Sequence, residues 1–329
     1  MSPVPVAGTV GQPASPPPPG RMAIVGAGSI GLAWSVVFAR AQWSVSLFDI
    51  AGQMRDAAPA AIERRLGDLH RVGLLPEPVE AVMARIAVTA DLSEAVDGVT
   101  WVQESVVESI EVKRGLFAQL DELTDGNVVL ASSSSMIAAS RWADGLPGRQ
   151  RCLVVHPGNP PYLLTVAEVV PAPFTSQQTI QRAQEVLASA GMSPVLVHGE
   201  PEGFVFNRLQ GALLREAYCL VRDGVISPAD VDRVVKEGLG RRWAVLGPFE
   251  TSHLNTRGGI RRHAELMGPA YERMGAERGQ HDPWTPDLVA TVAADLEVRL
   301  PMDRWEEYVA GRDAALLRRA AQGKQQEEP

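Results

Sequence analysis

The segment from Met22 to Asp49, MAIVGAGSIGLAWSVVFARAQWSVSLFD, constrains the fold more than any other part of the chain. A short apolar run leads directly into the glycines Gly26, Gly28 and Gly31, and the apolar residues that follow have helical spacing. A strand, a GxGxxG turn, a helix and a second strand that ends in an acid are the elements that hold a dinucleotide. The segment therefore predicts a Rossmann-type βαβ unit.

The glycines and the acid of this unit have separate expected roles. Gly26 permits a tight turn, Gly28 lets the backbone approach a pyrophosphate, and Gly31 lets the helix pack closely on the sheet. Asp49 falls eighteen residues after Gly31, where its carboxylate can accept both ribose hydroxyls and would repel a 2′-phosphate. NAD(H) is therefore favoured over NADP(H), and the alternatives are a nucleotide-free Rossmann-like domain or a flavin site.

The helix that follows the turn supplies further candidate contacts. Ser29 and Ile30 lie at its start, where free NH groups and the helix dipole face the anion. Ile30, Val37, Phe38 and Ala41 fall on one side of the helix, which predicts that this side faces the core.

Composition limits the classes of partner. With 329 residues, 45% of them apolar, the chain can form two domains, and a net charge of -8 argues against a nucleic-acid or anionic membrane surface. Cys152 and Cys219 lie in apolar runs, which suits buried free thiols in a reducing compartment, and no Cys or His pair has metal-ligand spacing. We expect a cytoplasmic protein without a metal, because the start of the chain lacks the features of a secretory signal.

The chain divides by pattern into three parts. Residues 1–20 carry seven prolines and no charged side chain, which predicts a disordered leader. Residues 21–200 alternate strands and helices, which predicts an α/β domain with a mostly parallel sheet, and residues 201–329 have helical periodicity alone. Further strands are expected at 98–104, 127–133, 151–156, 165–170 and 194–198, and helices at 110–123, 176–190, 209–222 and from Pro228, capped by Ser227. The segment 53–85 is helical in pattern and is broken by Pro76 and Pro78.

Four groups of polar residues lie where strands of such a sheet should end, and ligands bind at those ends. Glu108 with Lys113 is explained equally by a solvated pair beside a helix start, and the serines 132–135 by a polar turn or helix cap. His156 closes an apolar strand and enters a proline-glycine loop, although a lone histidine is more often structural. Glu168 interrupts an apolar strand and needs a partner, for which His156 is the nearest rational candidate.

Several motifs in one order resemble a known family. GAGSIG, VQESVVESIEVKRGLFAQLD, ASSSSM, HPGNPPY, VAEVVP, GFVFNRLQ, SPADVD, GLGRRWAVLGPFET and HLN extend from about residue 22 to about residue 257. They resemble the 3-hydroxyacyl-CoA dehydrogenase superfamily, and more closely its lambda-crystallin and L-gulonate 3-dehydrogenase branch. The likeness is faint beyond residue 260.

The resemblance implies catalytic roles for residues at the matching motif positions. His156 and Glu168 would form the catalytic pair, in which His156 takes the hydroxyl proton as a general base and Glu168 orients it. Ser134 and Asn207 would hold the reacting oxygen, with an uncertainty of one position for the serine. The implied reaction is hydride transfer between a secondary alcohol and NAD.

The resemblance also implies further cofactor contacts. Glu108, Lys113 and Asn159 would join Ser134, Asp49 and the glycine turn in holding NAD. No metal is implied.

The substrate is implied by departures from acyl-CoA members of the family. By an ungapped count, Arg65 and Val72 occupy the positions where those members present a Ser and a Lys to CoA. Arg242 matches an arginine of the gulonate branch and suits capture of a free carboxylate, the alternative being an interdomain or subunit salt bridge. The expected substrate is a small 3-hydroxy acid, L-gulonate-like or 3-hydroxybutyrate-like. The alternatives are a 3-hydroxyacyl-CoA dehydrogenase and a non-catalytic crystallin-like NAD-binding protein.

The helical C-terminal domain resembles one that forms a homodimer in the family. The apolar helix at 209–221 could contribute to that contact, although ordinary core packing explains it equally well.

Overall fold

The computed structural model describes residues 20–279 except Val245 and Gly258, and beyond them residues 287, 301–304, 307, 310, 311, 314, 317 and 318. The predicted leader, apart from Gly20, and the chain end at 323–329 lie outside the described residues. Within them, no helix has the length and hydropathy needed to cross a bilayer.

An eight-stranded sheet forms the centre of the first part of the chain. Its strands are β1 (Arg21–Val25), β2 (Ser44–Phe48), β3 (Ile86–Thr89), β4 (Trp101–Glu104), β5 (Val129–Ser132), β6 (Cys152–Pro157), β7 (Val166–Pro171) and β8 (Ser193–Leu196). Their order is β3-β2-β1-β4-β5-β6-β7-β8. All neighbours are parallel except β6 and β7, which run antiparallel. The order turns back at β1, where the chain crosses from the β2–β3 side to β4, and this reversal opens a crevice at the carboxyl ends of the strands.

Helices connect the strands. They are α1 (Ser29–Arg40), α2 (Gly52–Arg71), α3 (Val79–Met83), α4 (Leu92–Val96), α5 (Ile110–Leu123), α6 (Ser140–Ala143) and α7 (Gln177–Ser189). Two separate apolar clusters pack on the sheet, one around Trp34 and Phe38 and the other around Phe117 and Trp142. A parallel sheet covered in this way buries both faces of its central strands, which explains their continuous apolar runs.

Two details of this part differ from the sequence expectations. Helix α1 is buried on every side from Gly31 to Ala39, not on one side, because α2 and α3 pack against it as well as the sheet. Strand β3 was not expected from the sequence. It has four residues, pairs only with β2 and is half-exposed, so its sequence IAVT lacks the apolar run of a central strand.

A helical part follows the sheet. Its helices are α8 (Phe206–Arg222), α9 (Pro228–Val234), α10 (Gly240–Trp243), α11 (Pro248–Asn255) and α12 (Gly259–Arg278), and a π-helical turn at Val235–Leu239 joins α9 to α10. The Ser227 hydroxyl accepts a hydrogen bond from the Asp230 NH, so the expected cap of α9 is confirmed. The mostly parallel sheet and the helical part confirm the predicted fold class.

The chain forms two compact units. One unit contains the residues up to Arg208 and the few described residues after 312, and the other contains Leu209–Arg312. The division expected from the sequence, at residues 200 and 201, stays a prediction. Cys152 and Cys219 are both buried and free of disulfide bonds, and burial raises the pKa of the Cys152 thiol to about 12.

Candidate active site

The glycine turn after β1 has the shape that its sequence predicts. Gly26 adopts a φ of +107°, and a Cβ there would lie 2.6 Å from the carbonyl oxygen of Ser105. A Cβ on Gly31 would lie 1.8 Å from the carbonyl oxygen of Gly26, so α1 can pack this close only with glycine. A Cβ on Gly28 would meet no atom within 4 Å, so the space in front of this residue is open.

The start of α1 is available to an anion. The NH groups of Gly28, Ser29 and Ile30 have no hydrogen-bond partner in the described part of the chain, and no side chain caps the helix. Free NH groups and open space at a helix N-terminus are what a pyrophosphate requires. The Arg65 guanidinium donates to the Ser29 carbonyl oxygen at 3.2 Å and lies over the Tyr162 ring, 6.0 Å from its centroid.

Asp49 follows β2 and is fixed by the backbone on both sides. Its Oδ2 accepts from the Ala27 NH at 2.7 Å, and its Oδ1 accepts from the Ala51 NH at 2.8 Å. The Arg55 guanidinium donates to the Asp49 carbonyl oxygen at 2.7 Å. The carboxylate is thus joined directly to the glycine turn, as a ribose ligand beside a bound pyrophosphate would need.

His156 and Glu168 face each other across the antiparallel pair of strands. They are partners in the register of β6 and β7, and the His156 Nδ1 lies 2.7 Å from the Glu168 Oε2. The register of β6 and β7 brings these side chains together, because directly opposite residues of an antiparallel pair project to the same face. Both side chains are buried.

The Glu168 carboxylate is held as an anion. Its other oxygen, Oε1, accepts from the NH groups of Val205 and Phe206 at 2.8 and 2.9 Å, at the start of α8. Burial raises the pKa of Glu168, but the hydrogen bonds from His156, Phe206 and Val205 lower it more, so the pKa lies below its ordinary value. An anionic Glu168 makes Nδ1 of a neutral His156 the protonated nitrogen.

The remaining ring nitrogen of His156 is open. Its Nε2 has no hydrogen-bond partner among the residues that the structure describes, and it is not sealed from solvent. The rings of Phe204 and Phe206 flank the imidazole with centroids 5.8 and 6.1 Å away. In a neutral imidazole with its proton on Nδ1, Nε2 can accept a proton, and its surroundings include two apolar rings.

Asn207 lies in the first turn of α8, next to the backbone that binds Glu168. Its Nδ2 donates to the Ser135 carbonyl oxygen at 3.0 Å. The start of α8 is thus tied to both β7 and the serine run after β5, which brings three of the predicted catalytic positions into one connected cluster: His156, Glu168 and Asn207.

The consecutive serines have different environments. The Ser132 hydroxyl donates to Glu104, and the Ser133 hydroxyl contacts the side chains of Trp34, Gln103 and Ser105. The Ser134 hydroxyl is buried, donates to the Glu108 Oε1 and accepts from the Ile137 NH. The Ser135 hydroxyl makes no hydrogen bond within the described residues.

The predicted pair of Glu108 and Lys113 is part of a larger network. Lys113 is 1% exposed, so it is not a solvated residue, and its ammonium contacts Glu104 at 2.8 and 2.9 Å and Glu108 at 3.5 Å. Sequence reasoning missed Glu104, which ends β4 and is fully buried. The signal that singled out Glu168, an acid in an apolar strand, was present at Glu104 as well.

Two further predicted residues are exposed. Asn159 is exposed in the loop after β6, and no hydrogen bond joins its side chain to the described residues. Arg242 lies on α10 in the second compact unit, where its guanidinium is exposed and makes no ion pair with the described residues of that unit. No group of His, Cys, Asp and Glu side chains in the described part of the chain is arranged to hold a metal ion.

Comparison with known families and proteins gives a consistent result. The model of the "3-hydroxyacyl-CoA dehydrogenase, NAD binding domain" matches residues 21–200, and that of the "3-hydroxyacyl-CoA dehydrogenase, C-terminal domain" matches residues 203–294. A lambda-crystallin homolog from Bos taurus is 42% identical over 270 residues, which are 78% of this chain and 84% of that protein. An L-carnitine dehydrogenase from Oceanobacillus iheyensis is 34% identical over 281 residues, 85% of this chain and 88% of that protein.

A solved structure is similar over nearly the whole chain. It is a 5-formyl-3-hydroxy-2-methylpyridine 4-carboxylic acid 5-dehydrogenase, described as an NAD+-dependent dismutase. It matches with a TM-score of 0.79 and 27% identity, and the match covers 92% of this chain and 98% of that chain.

Proposed function

The chain belongs to the 3-hydroxyacyl-CoA dehydrogenase family, and from this premise we propose that it oxidises the 3-hydroxyl of a small free 3-hydroxy acid. NAD is the cofactor of the family, as the glycine turn and Asp49 predicted. The family's members are dehydrogenases that act on 3-hydroxy groups. The proposal concerns the substrate, which is L-gulonate-like or 3-hydroxybutyrate-like, and the residues that carry the reaction.

One observation carries the proposal most directly. The His156 Nδ1 is hydrogen bonded to an anionic Glu168 at 2.7 Å, while Nε2 has no partner among the described residues. A general base needs a free lone pair directed at the substrate and a group that stabilises the proton it gains. Glu168 supplies that stabilisation, and two backbone NH groups fix its position.

In oxidation, the substrate hydroxyl gives its proton to the His156 Nε2 as the carbonyl forms. The imidazolium charge that results is offset by Glu168, which stays ionised. Bound NAD+ supplies the acceptor for the hydride that leaves the alcohol carbon. In reduction, His156 returns the proton to the carbonyl oxygen.

Ser134 and Asn207 are proposed to bind the reacting oxygen. The Asn207 amide has two donor hydrogens, and the stronger bond goes to the Ser135 carbonyl oxygen. The Nδ2 also lies 3.9 Å from the Met136 sulfur, a weak acceptor that a substrate oxygen would replace. The Ser134 hydroxyl proton is directed to Glu108, so donation to the substrate requires it to turn from that carboxylate. The neighbouring Ser135 hydroxyl is the alternative donor.

A free acid is favoured over a CoA ester by Arg65 in α2 and by Val72 directly after that helix. Arg65 and Val72 occupy the positions of the Ser and Lys that hold CoA in acyl-CoA members, and Arg65 is bound to the Ser29 carbonyl and the Tyr162 ring. The relatives named for L-carnitine and for a pyridine carboxylic acid agree with this choice, because both names denote free carboxylic acids.

Comparing NADH formation from L-gulonate, 3-hydroxybutyrate and 3-hydroxybutyryl-CoA tests the choice of a free acid. Turnover of the CoA ester alone would reject the proposal in favour of the acyl-CoA alternative.

Arg242 is proposed to bind the carboxylate of the substrate. Its guanidinium is exposed and unpaired within the described residues of its unit, and a planar fork suits a carboxylate. Arg242→Met should raise KM for the free acid about tenfold or more, the loss expected for a charge-assisted hydrogen bond. The control is Arg241→Met on the same helix, which removes only a surface pair with Glu237. An unchanged KM in Arg242→Met would discard this role.

The non-catalytic alternative follows from the lambda-crystallin relative. It predicts NADH binding without turnover of any 3-hydroxy acid. One cluster contains a paired histidine, an ionised glutamate and an amide donor. Packing alone does not require these three groups together, which argues against a non-catalytic protein.

We further propose a homodimer formed through the helical unit. Helix α8 exposes Leu209, Leu213 and Leu214, and an exposed apolar stripe of this kind suits a subunit contact. Light scattering on the purified protein should give twice the chain mass. A monomer at micromolar concentrations would contradict this proposal.

A further inference from the structure

Glu104, the buried partner of Lys113, has no assigned role in the reaction. We propose that Glu104 is a positioning residue, which acts through Lys113 and Glu108 to hold the serine loop, residues 133–137, in the geometry that binds NAD and the reacting oxygen. The inference rests on the proposed role of Ser134, but not on which 3-hydroxy acid is the substrate.

The ammonium of Lys113 is held by Glu104 and by the end of β5. Its ammonium donates to both oxygens of Glu104 at 2.8 and 2.9 Å and approaches the Ser132 hydroxyl at 3.3 Å. An ammonium has three hydrogens, and these contacts use them. The side chain is 1% exposed, so its position depends on the groups that it contacts.

Glu104 is fixed more completely than a structural ion pair requires. It ends the central strand β4 and has no exposed surface. Besides Lys113, its Oε1 accepts from the Val106 NH at 2.7 Å and its Oε2 accepts from the Ser132 hydroxyl. Apolar residues of similar volume would stabilise such a position at least as well as a buried ion pair, so stability alone does not account for the charges.

Glu108 connects this pair to the crevice. Its Oε2 lies 3.5 Å from the Lys113 ammonium, and its Oε1 accepts from the Ser134 hydroxyl and from the NH groups of Met136 and Ile137 at 3.1 and 3.3 Å. The Glu108 side chain is 37% exposed, unlike the pair behind it. One carboxylate thus organises the serine loop with one oxygen and meets the buried cation with the other.

A second buried ion pair in the same unit provides a matched control. Arg151 and Asp121 are almost fully buried and 2.6 Å apart, and they join the end of α5 to the start of β6. Lys113 lies at the opposite end of the same helix. Side chains and backbone of residues 121–128 satisfy the Arg151 guanidinium, and no part of the serine loop contacts it.

The test measures thermal midpoint, NADH affinity by fluorescence titration, and turnover in four variants. Glu104→Gln leaves the buried Lys113 ammonium with only the 3.5 Å contact to Glu108, and Lys113→Met leaves the Glu104 carboxylate buried without a cation. Both variants should therefore lower the midpoint and weaken NADH binding. The double variant Glu104→Gln/Lys113→Met removes both charges and keeps an acceptor for the Val106 NH. It should recover most of the midpoint, but NADH binding should stay about tenfold weaker and turnover should stay low, because the cation that faces the Glu108 Oε2 is gone.

Glu108→Gln is the fourth variant and leaves the buried pair intact. It should keep the wild-type midpoint and reproduce the weaker NADH binding and lower turnover of the double variant. The control Arg151→Met/Asp121→Asn should change the midpoint while NADH affinity stays within about twofold of wild type.

Two results would overturn the proposal. One is a double variant whose midpoint and NADH affinity both return to wild type, which would make the pair structural only. The other is a Glu108→Gln protein with unchanged NADH affinity and turnover. This result would overturn the proposal even if the variants at Glu104 and Lys113 fail to fold. Because NADH titration needs no substrate, failure of the proposed substrate class would leave this test intact.

Discussion

The imidazole of His156 and the carboxylate of Glu168 are direct partners across two antiparallel strands, with Nδ1 2.7 Å from Oε2. All other neighbouring strands of the sheet are parallel, so β7 and β8 run opposite to β1–β6. The reversal places the acid opposite the histidine, and the start of α8 then binds the second oxygen of the acid. The catalytic proposal depends on this one local departure from a parallel sheet.

Replacing Glu168 by glutamine should reverse the tautomer of His156. The amide oxygen would keep the hydrogen bonds from the Val205 and Phe206 NH groups, so the amide NH2 would face Nδ1. Nδ1 would then accept, Nε2 would carry the proton, and turnover should fall about a hundredfold or more, as for loss of a general base. NADH affinity from fluorescence titration should not change. Undiminished turnover would show that the acid does not set the tautomer.

Glu168 should also contribute to the pH dependence of stability. Its pKa in the folded protein lies below the ordinary value, so the ionised form stabilises the fold above the unfolded pKa, and this contribution is lost as pH falls through the folded pKa. The thermal midpoint of wild type should therefore drop more steeply in the acid range than that of Glu168→Gln. Parallel pH profiles for the two proteins would mean that the hydrogen bonds do not lower this pKa.

Two glycines of the turn should respond differently to alanine. In Gly31→Ala the Cβ would collide with the Gly26 carbonyl oxygen, so both the midpoint and NADH binding should fall. In Gly28→Ala the Cβ enters open space, so the fold should be unaffected while NADH binding weakens. Gly115→Ala is the control, since Gly115 is exposed in α5 and its Cβ would meet nothing within 4 Å. That change should stabilise the protein by about 0.5–1 kcal/mol. Equal NADH affinity in Gly28→Ala and wild type would remove the pyrophosphate from this position.

Asp49 should determine the choice between NAD and NADP. Its carboxylate is anchored by the NH groups of Ala27 and Ala51, and Arg55 lies beside it. In Asp49→Ser the repulsion of a 2′-phosphate disappears and the Arg55 guanidinium stays nearby. The ratio of NADPH to NADH dissociation constants should therefore shrink about tenfold or more. If the ratio is the same as in wild type, the ribose is bound elsewhere.

Sequence reasoning located the parts of the site that depend on local pattern. The glycine turn, Asp49, the serine run and His156 lie at the ends of β1, β2, β5 and β6, and the carboxyl ends of parallel strands converge. Glu168 was also expected at a strand end, but it lies within β7, which runs antiparallel to β6. The pairing of Glu168 with His156 was inferred from the cost of an unpaired buried acid. The family followed from several motifs in one order, and the family models agree with it.

Contacts that depend on packing between secondary-structure elements could not be predicted from the sequence. The partner of Lys113 is Glu104 on β4, and this pairing appears only once α5 lies on the sheet. The burial of α1 on every side depends on α2 and α3, which come later in the chain. Strand β3 is a half-exposed edge strand, and its pairing depends on β2. The four serines have different hydrogen-bond partners, which no local pattern specifies.

The most direct test of the account is the turnover of His156→Gln with a 3-hydroxy acid and NAD+, measured beside NADH affinity. Glutamine fills similar space but cannot serve as a base near neutral pH. The account predicts turnover reduced roughly a hundredfold or more with NADH affinity unchanged. Turnover equal to wild type, with the same NADH affinity, would contradict the assignment of His156 as the group that takes the substrate proton.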